Sequence, residues 1–144
     1  MAHAENSVEI AASAAKVFNF LADGTNNPKW RDGVIKVQPP AGPPALGSLY
    51  KQTLKGPNGR LIAGDYKITD FDPNTTLAFE VIAGPARPTG RFMIMPQTNS
   101  TRVTFFLDYP LTGVKKLLME KAVTATMQAE VASLTRLKQI LEAS

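Results

Sequence analysis

Apolar and polar residues alternate in many segments of the chain, and turn residues separate these segments. Val8 and Ile10 alternate with polar neighbours, and the same two-residue period returns in later segments as far as Tyr109. Side chains two positions apart lie on one face of a strand, so the pattern predicts half-buried strands. We predict strands over residues 5–10, 34–37, 46–54, 60–71, 77–81, 90–95 and 102–109. The short turns between successive strands favour antiparallel neighbours.

Two short helices are predicted between the first two strands. Ser13 is a suitable N-cap for the first helix, whose apolar stripe includes Phe18 and which ends near Asp23-Gly24. Pro28 is acceptable in the first turn of a second, shorter helix. That helix carries Trp30, the only tryptophan, to a position near the sheet.

The last part of the chain has a different character. From Val114 to Ser144 it contains neither Gly nor Pro, which predicts one unbroken helix about 45 Å long. Advancing each residue by about 100° collects the apolar positions on one face. That face comprises Val123, Met127, Leu134, Leu137 and Leu141.

Glu130 falls close to the middle of this apolar face, which is unexpected for a carboxylate. Desolvation there would raise its pKa and suit it to acid or base chemistry. Alternatively, Glu130 occupies an edge position and reaches solvent or pairs with a Lys or Arg, which is the more common situation. The sequence favours the second interpretation without deciding between them.

These elements together predict an α+β fold in a single domain of residues 1–144. A curved antiparallel sheet is expected to wrap around the long C-terminal helix, with two short helices after the first strand. Such a sheet tends to leave a tapered space against the helix, where a small apolar ligand can sit.

Composition excludes several kinds of chemistry. The 144 residues include no cysteine and one histidine, which excludes disulfides, Cys-His and Ser-His-Asp nucleophilic sites, and iron held by two histidines. That histidine, His3, lies near the start of the chain, where a frayed terminus is expected. We therefore expect no metal and no cofactor.

Charge and hydropathy limit the possible partners. The net charge of +4 comes from dispersed basic residues without interleaved aromatics, so we expect no nucleic-acid partner. The sequence has neither the apolar run of about 18 residues that membrane insertion requires nor a signal-peptide pattern at its start. We expect a cytoplasmic protein that is a monomer or a weak homodimer.

The order of elements and several local segments resemble the SRPBCC superfamily, whose helix-grip fold is shared by START domains, Bet v 1-like proteins and polyketide cyclases. The resemblance spans nearly the whole chain and looks closest to the polyketide cyclase/dehydrase and lipid-transport branch, commonly found in bacteria. The segments that carry it are Val8-Glu9-Ile10-Ala11-Ala12-Ser13, Val17-Phe18-Asn19-Phe20-Leu21-Ala22-Asp23, Pro28-Lys29-Trp30, Tyr66-Lys67-Ile68-Thr69-Asp70-Phe71-Asp72-Pro73, Leu77-Ala78-Phe79-Glu80 and Leu134-Thr135-Arg136-Leu137-Lys138.

The resemblance implies an apolar-ligand cavity and leaves three functions open. The first is a carrier or binding protein for a lipid, a polyketide or an aromatic metabolite. The second is a cyclase or aromatase-type enzyme that uses a cavity Tyr or Glu as acid or base. The third and weakest is a co-chaperone-like interaction module whose outer sheet face carries Met93, Met95 and Phe106.

The candidate site is the concave face of the sheet together with the helices that cover it. No catalytic residue is assigned, because inward-facing aromatics on strands are usually packing residues. The residues expected to contact a ligand are Phe18, Trp30, Tyr50, Tyr66, Phe79, Phe92, Tyr109, Met127 and Glu130.

Overall fold

A computed structural model of the protein describes residues 2–84, 87–110 and 113–144. Its strands are β1 (Ala2–Ile10), β2 (Val34–Gln38), β3 (Leu49–Lys55), β4 (Leu61–Ala63), β5 (Tyr66–Asp72), β6 (Thr76–Val81), β7 (Thr89–Pro96) and β8 (Thr101–Tyr109). Its α-helices are α1 (Ala14–Ala22), α2 (Asn27–Trp30), α3 (Gly113–Ala132) and α4 (Leu134–Ala143).

All strand pairs are antiparallel, and the order across the sheet is β1-β8-β7-β6-β5-β3-β2. The short strand β4 pairs with the end of β3 that extends beyond β5. The helices pack on one face of this sheet: α1 contacts β6 and β7, α2 contacts β2, and both α3 and α4 contact β1. The predicted α+β helix-grip fold is confirmed.

The two short helices begin and end as their sequence predicts. The Ser13 hydroxyl caps α1 by accepting a hydrogen bond from the backbone N–H of Lys16 at 3.2 Å, which satisfies one of the free donors of the first turn. Pro28 lies in the first turn of α2, and Trp30 is its last residue. The loop between the helices contains a single 3₁₀ turn at Gly24–Asn26.

The prediction of one continuous strand over residues 60–71 is wrong, because the chain forms two strands, β4 and β5, with a break at Gly64-Asp65. At the break, hydrogen bonds that involve side chains take the place of some of the backbone hydrogen bonds between the strands. The Gln52 N–H donates to the Asp65 carboxylate at 3.1 Å, and the Gln52 side-chain amide donates to the Gly64 carbonyl at 3.2 Å. Composition alone does not reveal this exchange of partners.

The terminal helix is interrupted once, so the prediction of an unbroken helix is wrong at Ser133. The N–H of Ser133 bonds to the carbonyl of Glu130, three residues back instead of four, which tightens the backbone for one turn. The apolar face is as predicted: Met127, Leu134, Leu137 and Leu141 are buried, and Val123 is half-buried. By contrast, the first turns of α3 present Val114 and Leu118 to solvent.

The start of the chain is ordered by pairing rather than frayed, which corrects the expectation for His3. Strand β1 pairs with β8 from Ala2 onward. The two ring nitrogens of His3 bond to the carboxylates of Asp108, at 2.6 Å, and Glu5, at 3.2 Å. Neither α3 nor any other described helix has the length and apolarity needed to cross a bilayer.

Candidate functional site

Aromatic rings line the concave face of the sheet. Tyr50 and Tyr66 stack with centroids 4.9 Å apart, and Phe79 meets the Tyr66 ring edge-on at 5.5 Å. Phe92 and Phe105 continue the row as a stacked pair at 4.3 Å. These rings are buried, and pairs of this geometry stabilise a core beyond the area that they bury.

A buried hydrogen-bond network lies among these rings. The side-chain amide of Asn27 donates to the Gln52 side-chain oxygen at 3.1 Å and to the Tyr66 hydroxyl oxygen at 3.0 Å. Within the described ranges, the hydroxyl hydrogen of Tyr66 has no acceptor of its own. Burial raises the pKa of the Tyr66 phenol above its ordinary value of 10.0, so the group stays neutral and remains a donor.

Gly24 allows the two tyrosines to approach the helical layer. A Cβ at this position would overlap the Tyr66 hydroxyl oxygen and would lie 2.8 Å from the Tyr50 ring, an approach that no side chain tolerates. The Tyr50 hydroxyl also donates to the carbonyl of Ala22 at 2.9 Å. The 3₁₀ turn after α1 therefore fixes the position of the tyrosine pair.

Arg31, the residue after α2, forms the main ionic contact of the site. Its guanidinium donates two hydrogen bonds to the Glu130 carboxylate of α3, from Nε at 3.1 Å and from Nη2 at 2.7 Å. The Arg31 side chain is only 8% exposed, and that of Glu130 is 22% exposed. A two-point pair of this kind fixes both the distance and the relative orientation of the groups it joins.

The Arg31 guanidinium lies among aromatic rings. Its central carbon is 5.8 Å from the Trp30 ring centroid and 5.9 Å from that of Phe79, within the range of cation–π attraction. The indole N–H of Trp30 is buried and has no hydrogen-bond partner among the residues that the structure describes. A buried donor without a partner is costly, which marks this position as unusual.

A small space adjoins these groups. Its volume is about 10 Å³, and it is lined by Leu21, Asn27, Arg31, Tyr66, Ile68, Leu77, Phe79 and Phe92. That volume accommodates about one water molecule. In this structure the concave face is thus nearly filled by its own side chains, with the Arg31 guanidinium among them.

A larger space lies elsewhere, over β3 between β2 and β4. This groove has a volume of about 460 Å³, and its walls include Lys36, Lys51 and Leu61. All three of these side chains are exposed. An open groove of this kind leaves an apolar molecule in contact with water, so it suits such a ligand less well than a closed site.

Of the residues predicted from the sequence, the structure brings together Tyr66, Phe79 and Phe92 around the small space. Tyr50 stacks on Tyr66, and Trp30 packs edge-on against Phe92 at 5.9 Å.

The remaining predicted residues lie apart from that space. Phe18 packs on Phe71 at 5.1 Å, Met127 lies in the core, and the half-buried Tyr109 pairs with Ala2 at the far end of β8. Glu130 does not line the space and is connected to it only through its ion pair with Arg31. Of the two interpretations of Glu130, the structure therefore shows the one in which the carboxylate pairs with a basic residue. Whether any of the predicted residues contacts a ligand stays a prediction.

Arg31 and Asn27 are site residues that the sequence pattern does not predict. Arginine and asparagine are surface residues by default, so nothing in the local pattern marked either as buried. The one available signal was position: both belong to the short segment that delivers Trp30. Their partners, Glu130 and Tyr66, lie 99 and 39 residues away in the sequence.

The outer face of the sheet carries exposed methionines, as predicted. Met93 is 47% exposed and Met95 is 60% exposed, whereas Phe106 is half-buried beside His3. Over the part of the chain that the structure describes, no three His, Asp or Glu side chains are grouped to hold a metal ion.

Comparison with known proteins places the chain in context. The sequence profile of the family described as polyketide cyclase/dehydrase and lipid transport matches residues 1–142. Among curated proteins, none matches the chain in sequence.

Three solved structures illustrate the similarity in fold. The protein TTHA0849 from Thermus thermophilus superposes with a TM-score of 0.80 at 20% identity, over 98% of this chain and 97% of that one. A START superfamily protein from Mycobacterium smegmatis gives 0.73 at 19%, over 96% and 98%. The Zhui aromatase/cyclase from Streptomyces sp. R1128 gives 0.70 at 18%, over 98% and 91%. At these identities the similarity shows the fold alone.

Proposed function

The chain belongs to the polyketide cyclase/dehydrase and lipid transport family, and from that premise we propose that it binds a small hydrophobic molecule on the concave face of its sheet. The ligand belongs to the class of lipids, polyketides or aromatic metabolites and carries at least one oxygen. The protein acts as a carrier or binding protein for it.

The observation that carries this proposal is the set of polar groups at the small space. A core that served only for packing would contain apolar side chains, because each buried polar group must be satisfied. Here Arg31, Asn27 and the donor hydroxyl of Tyr66 border one space together with apolar walls. A few convergent polar groups in an apolar surround are typical of a ligand site, where they orient the bound molecule.

The space must enlarge before a ligand fits, because it now holds about one water molecule. Arg31 is the side chain best suited to make room. It begins at the C-terminal end of α2, it is long and flexible, and it extends over Phe79 to the partly exposed Glu130. When the partly exposed Glu130 turns to water, the Arg31 stem is free to shift within the site, and the faces of the buried rings become available to the ligand.

The second candidate function is a cyclase or aromatase-type enzyme. Tyr66 favours it, because a neutral phenol with a free hydrogen can polarise a ligand carbonyl, and a nearby guanidinium can stabilise an enolate. A general base is harder to assign. Both oxygens of Glu130 accept hydrogen bonds from Arg31, and the raised pKa of Tyr66 makes the phenolate a minor species. We therefore prefer the binding function.

The proposal is tested by titrating the purified protein with fatty acids, fatty alcohols and aromatic polyketides. Trp30 is the only tryptophan and packs against Phe92 of the site, so its fluorescence reports binding there, and native mass spectrometry counts the bound molecules. We expect one molecule bound per chain, with a change in Trp30 emission. No mass shift and no fluorescence change across the panel would contradict the proposal.

The enzyme alternative is tested with the same material. A poly-β-ketone substrate is incubated with the protein, and cyclised products are measured against the uncatalysed reaction. Product formation that is lost in Tyr66→Phe, a substitution that removes only the hydroxyl, would favour the enzyme over the carrier. Binding without turnover would favour the carrier.

A further inference from the structure

We propose that Arg31 selects ligands that carry a carboxylate, which takes the place of Glu130 on the guanidinium. This inference rests on the proposed function and names the class of ligand more closely. It concerns the exchange of one carboxylate for another on a buried cation.

The Arg31 cation has a single acidic partner in the part of the chain that the structure describes. Arg31 is buried between the Trp30 and Phe79 rings, and within the described residues Glu130 is the only acidic side chain that pairs with it. A buried charge without a partner is strongly unfavourable. A ligand that approaches Arg31 must therefore either leave the pair intact or supply a replacement for Glu130.

Glu130 can leave the ion pair more easily than Arg31 can. Its side chain is 22% exposed, whereas that of Arg31 is 8% exposed, so the carboxylate can turn to water while the guanidinium cannot. Water solvates the released carboxylate and so offsets part of the interaction that it loses with Arg31. Arg31 is then paired both before the exchange, with Glu130, and after it, with the ligand, provided that the ligand group is an anion.

Neutral molecules are disfavoured as partners of Arg31. An alcohol or ester in the same position would displace Glu130 without restoring a negative charge on Arg31. The Tyr66 hydroxyl borders the same space and can donate its hydrogen to a lone pair of a carboxylate. The remaining walls, including Ile68 and Leu77, are apolar and suit the body of the ligand.

The experiment compares dodecanoic acid, dodecanol and methyl dodecanoate with the wild-type protein, all below their aggregation limits. The three molecules share a chain length and differ in the charge of the head group. Binding is followed by Trp30 fluorescence and native mass spectrometry. We expect the acid to bind at least about tenfold more tightly than the alcohol or the ester, because hydrogen bonds to a charged group are stronger than neutral ones.

Two variants assign the preference to the ion pair. Arg31→Met is expected to bring the affinities for acid and alcohol to within about threefold of each other, because the counter-charge is gone. Glu130→Gln is expected to raise the affinity for the acid, since the competing carboxylate is removed. Arg60→Met, a change at an exposed turn residue, serves as the matched control and should keep the wild-type preference.

The outcomes separate the inference from the function on which it rests. Equal affinities for acid, alcohol and ester in the wild type would overturn the inference and leave the proposed function standing. The absence of binding by all three would also overturn the inference, whereas the proposed function fails only when the aromatic polyketides of the wider panel do not bind either. The comparison of the three ligands needs no variant, so it holds even where Arg31→Met fails to fold.

Discussion

The two members of the Arg31–Glu130 pair are expected to contribute unequally to the stability of the protein. The structure buries the guanidinium more deeply than the carboxylate, with side-chain exposures of 8% and 22%. Removing Glu130 leaves the deeper charge without a partner, whereas removing Arg31 leaves the charge that can reach water. Glu130→Gln should therefore destabilise the protein more than Arg31→Met does.

The magnitudes follow from the burial of each charge. Breaking a fully buried pair costs about 3–5 kcal/mol. Because Glu130 is partly exposed, we expect a loss at or just below the lower end of that range, about 2–3 kcal/mol, for Glu130→Gln. For Arg31→Met we expect about 1–2 kcal/mol, since methionine retains part of the packing of the arginine stem against the rings. The double variant should cost less than the sum of the two, by at least about 1 kcal/mol.

The assay is urea unfolding at pH 7, followed by far-ultraviolet circular dichroism and by Trp30 fluorescence. Glu80→Gln, which removes a carboxylate from the exposed outer face of the sheet, is the charge-matched control and should change the free energy of unfolding by less than about 0.5 kcal/mol. Strict additivity in the double variant, or a larger loss for Arg31→Met than for Glu130→Gln, would refute the reasoning.

Three further predictions concern other parts of the fold. Gly24→Ala should lower the free energy of unfolding by about 2–3 kcal/mol, because a Cβ would overlap the Tyr66 hydroxyl oxygen, whereas Gly33→Ala should be near neutral, with no atom within 4 Å of its Cβ. Ser13→Ala should cost about 1 kcal/mol through the lost cap of α1. Hydrogen bonds to Asp108 and then Glu5 raise the pKa of His3 above 6.5, so its stabilising contribution is complete below pH 6.5 and is lost as the pH rises through the folded-state pKa.

Each of these predictions has a direct measurement. Urea unfolding compares Gly24→Ala with Gly33→Ala, and equal losses would contradict the packing argument; the same measurement on Ser13→Ala would contradict the capping argument if no loss appeared. For the histidine, the difference in melting temperature between wild type and His3→Gln is followed from about pH 5.5 to about pH 8.5. Because the His3 side chain is 45% exposed, a small difference that shrinks with rising pH is expected, and a growing one would contradict the sign.

The fold could be predicted from the sequence because its signals are local and repeated. The two-residue period of the strands, the Ser13 cap and the Gly- and Pro-free terminal segment each depend on residues close together in the sequence. The errors arose where side chains changed the backbone pairing. The break at Gly64-Asp65 depends on Asp65 and Gln52 replacing backbone partners, and the tightened turn at Ser133 has no compositional signal.

The site was predicted less completely, for a physical reason. Alternation shows which face of a strand is inward, and this was enough to find Tyr66, Phe79 and Phe92. The ion pair joins residues 99 positions apart, and no single-sequence pattern links them. The size of the space depends on side-chain positions to within a fraction of an ångström, so the near-complete filling of the concave face was beyond the sequence.

The central claim is that a small hydrophobic molecule binds on the concave face, and intermolecular nuclear Overhauser effects test it most directly. Uniformly ¹³C-labelled dodecanoic acid is added to the unlabelled protein, and contacts from its methylene protons are assigned. The account predicts contacts to the ring protons of Phe79, Phe92 and Tyr66. Contacts confined to the Met93 and Met95 methyl groups of the outer face would contradict it.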